Sequence, residues 1–193
     1  MTASTDLEAI RARLGGRPHT TYDGEIRRRA AVAAVLRPVP GDTEILLIRR
    51  AEREGDPWSG HMALPGGHHD PGDMDMFSTA RRETHEEVGL ALSPGTLVGA
   101  LDEHPATARG QFTGIVIAPF VFAVEGAARL APNDEVAEAL WAPLGRMARG
   151  ELDVVKEVER GGERVRFPGY GVGEHVVWGL THRVLQNLFQ SLG

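Results

Sequence analysis

Three glutamates, Glu83, Glu86 and Glu87, stand within five residues of one another, just before Gly89. In a helix this spacing places them on one side, where each like-charged pair costs roughly 0.2–0.5 kcal/mol. Glu86 and Glu87 also fall in the last turn, where the helix dipole is already negative. A divalent cation would offset both penalties, and carboxylate oxygens suit Mg²⁺ or Mn²⁺. The cluster therefore indicates a metal site, and the competing interpretation is a solvated acidic helix end steadied by an Arg82–Glu86 pair.

The helix that would carry these glutamates is predicted between Asp75 and Val88. Its apolar face is formed by residues at helical spacing, namely Phe77, Ala80, Thr84 and Val88. Gly89 is well placed as the C-terminal stop. The preceding stretch, PGGHHDPGD, predicts a glycine-rich loop that folds back and offers backbone carbonyls to the same ion. Carboxylates that hold a metal beside such a loop are the usual apparatus for phosphate chemistry.

The rest of the chain predicts more strands than helices. Period-two and apolar runs predict strands over 29–38, 43–50, 95–104, 113–126 and 135–141. A hairpin is predicted to turn at Gly161 and Gly162. Helices are predicted in an accessory segment, residues 1–25, after Trp141 as far as Met147, and over 176–192, where the pattern is amphipathic. These elements indicate one domain, residues 1–193, of the α/β or α+β class.

The composition excludes several classes of function. None of the 193 residues is a cysteine, so the chain has no disulfide, thiolate zinc site or cysteine nucleophile. A formal charge of -6 without a basic block argues against nucleic acid as the main partner. No apolar run approaches membrane-spanning length and the first residues lack an apolar signal core, so we expect a cytoplasmic protein without a membrane partner.

The segment from Arg82 to Leu90 resembles the Nudix box of the Nudix hydrolases, whose second half reads Arg-Glu-U-x-Glu-Glu-x-Gly-U, U being a bulky aliphatic residue. Thr84 is the one mismatch in that half. In the first half, Asp73 stands where the motif has Glu, and eight residues rather than seven separate it from Arg82. Both departures resemble the coenzyme A pyrophosphatase variant of the box, here residues 67–90. The resemblance implies the Nudix fold, a mixed β-sheet sandwiched between helices.

The resemblance also implies roles for the residues of the box. Glu86 and Glu87 are expected to bind the metal, and Glu83 to be a ligand or the base that activates water. The backbone carbonyl of Gly66 is a further candidate ligand. Arg82 is expected to orient a glutamate through a charge-assisted hydrogen bond. Asp73 would take the place of the glutamate that steadies the loop and Arg82 in the family.

Residues outside the acidic cluster bear on the substrate. The candidates for substrate binding are Arg49, Arg50, Arg53, Trp58, Gly66, Gly67 and Tyr170, with Trp178 and His104 as further possibilities. For the arginines the alternative is solvated charge at a strand end, and for both tryptophans it is packing. Glu135 is a candidate extra ligand or alternative base, with surface charge as the equal alternative.

The function implied by the resemblance is Mg²⁺- or Mn²⁺-dependent hydrolysis of a pyrophosphate bond in a small nucleotide substrate. Coenzyme A or an acyl derivative is the leading substrate, because the stretch GHMALPGG resembles the lead-in of that subgroup, although His61 replaces Gln and Leu64 replaces Phe. The alternatives are ADP-ribose or a nucleotide sugar as substrate, and a non-catalytic nucleotide-binding module of the same fold. A homodimer is also expected from the resemblance.

Overall fold

The structure is a computed structural model that describes residues 4–56, 58–108, 110–126 and 128–193. In these ranges the helices are α1 (Leu7–Leu14), α2 (Met76–Val88), α3 (Leu144–Ala148) and α4 (Gly179–Leu192). The first strands are β1 (Arg28–Val39), β2 (Asp42–Arg50), β3 (Met62–Ala63), β4 (Gly66–His68), β5 (Leu97–Ala100) and β6 (His104–Ala108). The remaining strands are β7 (Gln111–Ala123), β8 (Val136–Pro143), β9 (Asp153–Arg160), β10 (Glu163–Val172) and β11 (His175–Trp178).

The main sheet is mixed and is built around β1. Its order is β3-β2-β1-β7-β5, and β4, β6 and β8 pair with β1, β7 and β2 respectively. β1 runs parallel to β7, with Arg28 opposite Ile115, while the other pairings in this sheet are antiparallel. β1 therefore pairs both with β2 and with β4, the strand formed by the glycine-rich segment.

Both faces of the main sheet are covered by helices. Successive side chains of a strand point to opposite faces. Ala33 and Val35 of β1 pack in the cluster that contains Ala80 of α2, whereas Ala34 and Leu36 pack in the cluster that contains residues of α1 and α4. This arrangement confirms the predicted mixed sheet between helices.

A second sheet, with the order β11-β10-β9, is antiparallel. It confirms the hairpin predicted to turn at Gly161 and Gly162, because β9 ends and β10 begins on either side of that pair. The predicted helix over 176–192 begins too early. His175–Trp178 is a strand paired with β10, and α4 begins at Gly179. The backbone partners in β10 explain the difference, because an apolar run does not by itself distinguish strand from helix.

The N-terminal helix contributes to the core. Leu7, Ile10 and Leu14 of α1 are buried in the same cluster as the apolar face of α4. Asp6 caps the helix by accepting a hydrogen bond from the backbone N–H of Glu8 at 3.0 Å. None of the helices in the described part of the chain is long and apolar enough to cross a membrane.

Candidate active site

The helix α2 positions the acidic cluster as predicted. It begins after Asp75, whose side chain accepts a hydrogen bond from the backbone N–H of Ser78 at 2.7 Å. It ends at Gly89, whose φ of 70° lies in the left-handed region that favours glycine. Ala80 and Val88 are fully buried against the sheet. This packing fixes the rotation of the helix and so decides where each glutamate points.

Glu87 is the buried member of the cluster. Only 3% of the residue is exposed, and its Oε2 accepts a hydrogen bond from the backbone N–H of Gly66 at 2.8 Å. Burial raises the pKa of its carboxyl to about 7, and the negative charges of Glu83 and Glu135 act in the same direction. A carboxylate in this position is costly without a cation beside it.

The guanidinium of Arg82 binds the other two carboxylates of the acidic cluster, those of Glu83 and Glu86. Its Nη1 donates to Glu83 Oε1 and to Glu86 Oε2, both at 2.9 Å, and its Nη2 donates to the backbone oxygen of His68 at 3.0 Å. It also makes a bidentate pair with Asp73, through Nε and Nη2 at 2.9 Å each. These charge-assisted bonds tie the loop before α2 to its last two turns.

Asp73 occupies the position expected from the resemblance, and its surroundings compensate for its short side chain. Hydrogen bonds from Arg82, more than any other contact, hold the pKa of its carboxyl far below the usual range. The hydroxyl of Thr79 donates to Asp73 Oδ2 at 2.8 Å, and Nδ1 of His69 lies 2.9 Å from the same hydroxyl. Because that hydroxyl has a single proton, Nδ1 of His69 is the donor in the second bond.

The glycines of the loop allow backbone and carboxylates to approach closely. Gly66 has a φ of 154°, and a Cβ there would lie 2.6 Å from Val32 Cα. A Cβ on Gly67 would lie 2.5 Å from Glu83 Oε1. Ala33 fixes the loop from the sheet side, because its N–H donates to the oxygen of Pro65 at 2.8 Å. Larger residues at the two glycines would displace β4 from β1 or Glu83 from the site.

A cavity of about 740 Å³ opens beside this loop. Its acidic lining residues are Asp56, Asp70, Glu83, Glu87, Glu135 and Glu159. Gly66, Gly67 and Trp58 also line it, and Trp58 is half-buried against the cluster of Ala106 and Ile117. Its volume falls within the range of roughly 300–1,000 Å³ usual for small-molecule sites.

Arg50 lines the cavity, whereas Arg49 and Arg53 are not among its lining residues. The side chain of Asp56 holds Arg50 by accepting from its Nη2 at 2.7 Å. Arg53 instead donates to Glu135 Oε1 at 3.1 Å. The closest ion-pair partner of Arg49 is Glu138, at 3.9 Å. β2 shifts register against β8 between Arg49 and Arg50, so the two side chains take different environments.

Tyr170 is a correction to the predicted substrate site, because it lies in the core. Only 1% of it is exposed, its ring packs on His182 with centroids 4.8 Å apart, and its hydroxyl accepts a hydrogen bond from Gln186. His104 was expected in a loop but belongs to β6, opposite Ile117 of β7, and is absent from the cavity lining. Trp178, by contrast, lines the cavity.

Glu83 and Glu87 face the cavity, but Glu86 does not. The side chain of Glu86 is 51% exposed and pairs with Arg82. In the ranges that the structure describes, no three His, Asp or Glu side chains are grouped closely enough to hold a metal ion. In this arrangement the guanidinium of Arg82 lies where it neutralises Glu83 and Glu86. The carboxylate of Glu87 nevertheless has the chemistry of a ligand for a hard divalent cation, because it is buried, accepts its hydrogen bond from a backbone N–H, and is opposed only by the charge of Arg50, which already pairs with Asp56.

Comparison with known proteins defines the class. A family profile described as the NUDIX domain matches residues 27–159. The chain belongs to the Nudix hydrolase family, which confirms the resemblance found in its box. A human relative named mitochondrial coenzyme A diphosphatase NUDT8 is 32% identical over 171 residues, which cover 86% of this chain and 72% of that protein.

Two further comparisons bear on extent and fold. An uncharacterized protein of Schizosaccharomyces pombe is 43% identical over 126 residues, which cover 63% of this chain but only 38% of that protein. The crystal structure of a MutT/nudix family protein from Enterococcus faecalis superimposes with a TM-score of 0.58 at 17% identity, covering 96% of this chain and 68% of that one. The latter supports the fold alone.

Proposed function

We propose that this protein hydrolyses the pyrophosphate bond of a nucleoside diphosphate derivative with the aid of Mg²⁺ or Mn²⁺, and that coenzyme A or acyl-coenzyme A is the leading substrate. The products would be 3',5'-ADP and 4'-phosphopantetheine or its acyl form. One observation gives the main support for this class of reaction. The buried carboxylate of Glu87 and the partly buried carboxylate of Glu83 line one large cavity beside a glycine-rich loop.

Members of this family generally use divalent metal ions, and the carboxylates of this chain suit such an ion. Glu87 and the carbonyl of Gly66 are the groups proposed to hold it, with Glu86 after exchange of its Arg82 partner and with Glu83 if that residue is not the base. The bound ion would neutralise pyrophosphate oxygens and the charge that develops on them. Arg82 restrains Glu83, and Gly66 N–H restrains Glu87, so both carboxylates are oriented before a substrate arrives.

The base that accepts the proton of the attacking water is proposed to be Glu83 or Glu135. Both line the cavity. Burial raises the pKa of Glu83, although the charge and hydrogen bond of Arg82 oppose this. Glu135 is half-exposed and paired with Arg53, so it is less buried than Glu83. This difference favours Glu83 as the base and Glu135 as an auxiliary group.

The coenzyme A assignment is supported by the human relative named as a coenzyme A diphosphatase and by the variant form of the box. A second candidate, a general diphosphatase for ADP-ribose or nucleotide sugars, is favoured by the charges of the cavity. Among the described lining residues, Arg50 is the one Lys or Arg, and Asp56 already pairs with it. A 3'-phosphate of coenzyme A therefore finds few cations in the described part of the cavity.

A substrate panel tests the assignment. We expect purified protein with Mg²⁺ or Mn²⁺ to cleave coenzyme A with a higher kcat/KM than ADP-ribose or a nucleotide sugar. The Glu87→Gln variant, purified in the same way, controls for contaminating phosphatases. If 3'-dephospho-coenzyme A and ADP-ribose both exceed coenzyme A, the second candidate is correct. Binding without cleavage of any member of the panel would instead support a non-catalytic nucleotide-binding module.

Location and assembly stay predictions. A cytoplasmic location is untested, and one relative is named as mitochondrial. The expected homodimer is likewise untested, because the structure contains one chain.

A further inference from the structure

Part of the cavity lining is aromatic. The rings of His61, Phe167 and Trp178 all line it and form a continuous group, here called the aromatic wall. The centroid of Trp178 lies 4.8 Å from that of His61 and 5.2 Å from that of Phe167, with interplanar angles of 48° and 45°. Trp178 is thus the central ring of a tilted trio, a favourable geometry for aromatic contacts.

The backbone holds the aromatic wall in place. The N–H of His61 donates to the oxygen of Trp58 at 3.1 Å, and its own oxygen accepts from the N–H of Arg50 at 3.0 Å. Trp178 ends β11 opposite Gly169 of β10. A Cβ on Gly169 would lie 2.9 Å from Val176 Cγ1 and 3.3 Å from Trp178 Cβ, so glycine is needed for this close pairing. A ligand would therefore meet rings that are carried by hydrogen-bonded backbone and that contact one another.

The aromatic wall extends beyond the common part of the family. Phe167 and Trp178 belong to β10 and β11, which follow the matched residues 27–159, whereas His61 lies within them. All three residues are half-buried rather than fully enclosed. Packing of the second sheet on the main body explains their mutual contacts. It does not explain why three rings share the lining of the cavity that contains the carboxylates.

We propose that the aromatic wall is the nucleobase subsite of this cavity and that it binds a purine by stacking. The proposal rests on the proposed function for the class of ligand. Stacking of a base on an aromatic side chain contributes roughly 1–3 kcal/mol and needs only a flat π face. His61 adds polar groups for the edge of a base, because burial lowers its pKa and so favours the neutral ring, which has one donor and one acceptor nitrogen.

The position of Arg50 favours a nucleotide over an apolar chain as the occupant. Arg50 and His61 are hydrogen-bonded neighbours, and both side chains line the cavity. A base on the aromatic wall and a phosphate near the Arg50 guanidinium would therefore lie side by side, as they do within one nucleotide. An alkyl chain would use the rings but would offer no acceptor to the imidazole and no anion to the Arg50 guanidinium, whose one ion-pair partner among the described residues is Asp56.

The test compares two ligands that differ only in the base and that contain no pyrophosphate to cleave. Binding of AMP and of ribose 5-phosphate is measured by calorimetry in millimolar Mg²⁺, with n-hexyl phosphate as the apolar probe. For the wild type we expect AMP to bind at least about tenfold more tightly than ribose 5-phosphate. Trp178→Leu should bring this ratio close to one, while Trp178→Phe, which retains a ring, should preserve most of it.

Several outcomes would overturn the proposal. Equal binding of AMP and ribose 5-phosphate to the wild type, or no detectable binding of AMP, contradicts a base subsite. Tighter binding of n-hexyl phosphate than of AMP assigns the wall to an apolar chain. If Trp178→Leu does not fold, Phe167→Leu serves in its place, and an unchanged ratio there also contradicts the proposal. Because AMP is not a substrate, failure of hydrolysis and failure of the base subsite are observed separately.

Discussion

The buried carboxyl of Glu87 should make the metal-free protein less stable as the pH rises. Its pKa is about 7 in the folded chain, against 4.5 for an ordinary glutamate. Between these two values the folded protein retains a proton that the unfolded chain has released. The stabilisation is therefore complete below about pH 4.5 and is lost as the pH rises through 7. Since one pKa unit corresponds to about 1.4 kcal/mol, this single group costs at most about 3.5 kcal/mol well above pH 7.

Glu87→Gln replaces the titrating carboxyl group by a neutral amide of nearly the same shape. The amide oxygen can accept the hydrogen bond from Gly66 N–H that the carboxylate accepts at 2.8 Å. We expect the variant to be more stable than the wild type at about pH 8, by up to about 3 kcal/mol, and this advantage to fall to about 1 kcal/mol near pH 5. The difference between the two proteins is the quantity of interest, because other titrating groups act on both.

The assay is urea denaturation in excess EDTA at several pH values between about 5 and 8, with equal m-values required for the comparison. Glu86→Gln, at a half-exposed position one residue away, controls for the loss of one negative charge. If Glu87→Gln is less stable than the wild type at pH 8, or if the difference is the same at both ends of the range, burial does not act on this carboxyl as argued.

Three further outcomes follow from the site. Excess EDTA should abolish hydrolysis of coenzyme A and added Mg²⁺ or Mn²⁺ should restore it, so a full rate in EDTA, measured as release of 4'-phosphopantetheine, would exclude the metal. Glu87→Gln should lower turnover at least about a hundredfold, about 2.7 kcal/mol of transition-state stabilisation, and an unchanged kcat would return Glu87 to a structural role. Thr79→Val should destabilise the protein by about 1–3 kcal/mol in urea denaturation, because the fully buried hydroxyl that donates to Asp73 is lost. Thr79→Ser retains the hydroxyl and should lose much less, and equal losses in the two variants would assign the effect to packing.

The parts of the fold that the sequence predicts well are those with local signals. α2 was predicted because Asp75 and Gly89 mark its ends and an apolar face lies between them, and the structure has the same residues as caps. The strand pair β1 and β2 and the hairpin after Leu152 have the same advantage of clear turns. The short strands β3, β4, β6 and β11 were not predicted as separate strands, and β11 was included in the predicted C-terminal helix. β4 pairs with β1, which is distant in the sequence. β6 and β11 form local hairpins with β7 and β10, but such short runs have too few residues for a clear alternating pattern.

The identities of the cavity residues were harder to predict than the box. Ile45, Leu46, Leu47 and Ile48 are all fully buried, so β2 has no polar alternation from which the orientation of the following arginines could be inferred. The irregularity after Arg49 then decides that Arg50 lines the cavity. Asp56 was not foreseen because a single carboxylate in a Gly- and Pro-containing loop carries no periodic signal. Tyr170 was misassigned because an aromatic residue near glycines suits a pocket and a core equally.

The distribution of charge separates the two interpretations of the acidic cluster. A solvated helix end requires exposed carboxylates, and Glu86 fits this description, with Arg82 beside it. Glu87 does not, because it is 3% exposed and its hydrogen bond comes from a backbone N–H rather than from a cation. Arg82 thus pairs with Glu83 and Glu86, whereas the cation that acts on Glu87 is Arg50, which already pairs with Asp56. A packed interior would not retain such a group for stability, since a neutral side chain of the same shape would avoid the desolvation cost. A retained proton avoids this cost below about pH 7 in the metal-free protein, and a cation in the cavity would offset it for the carboxylate. We therefore propose that the metal chemistry depends more on Glu87 than on the more exposed Glu86.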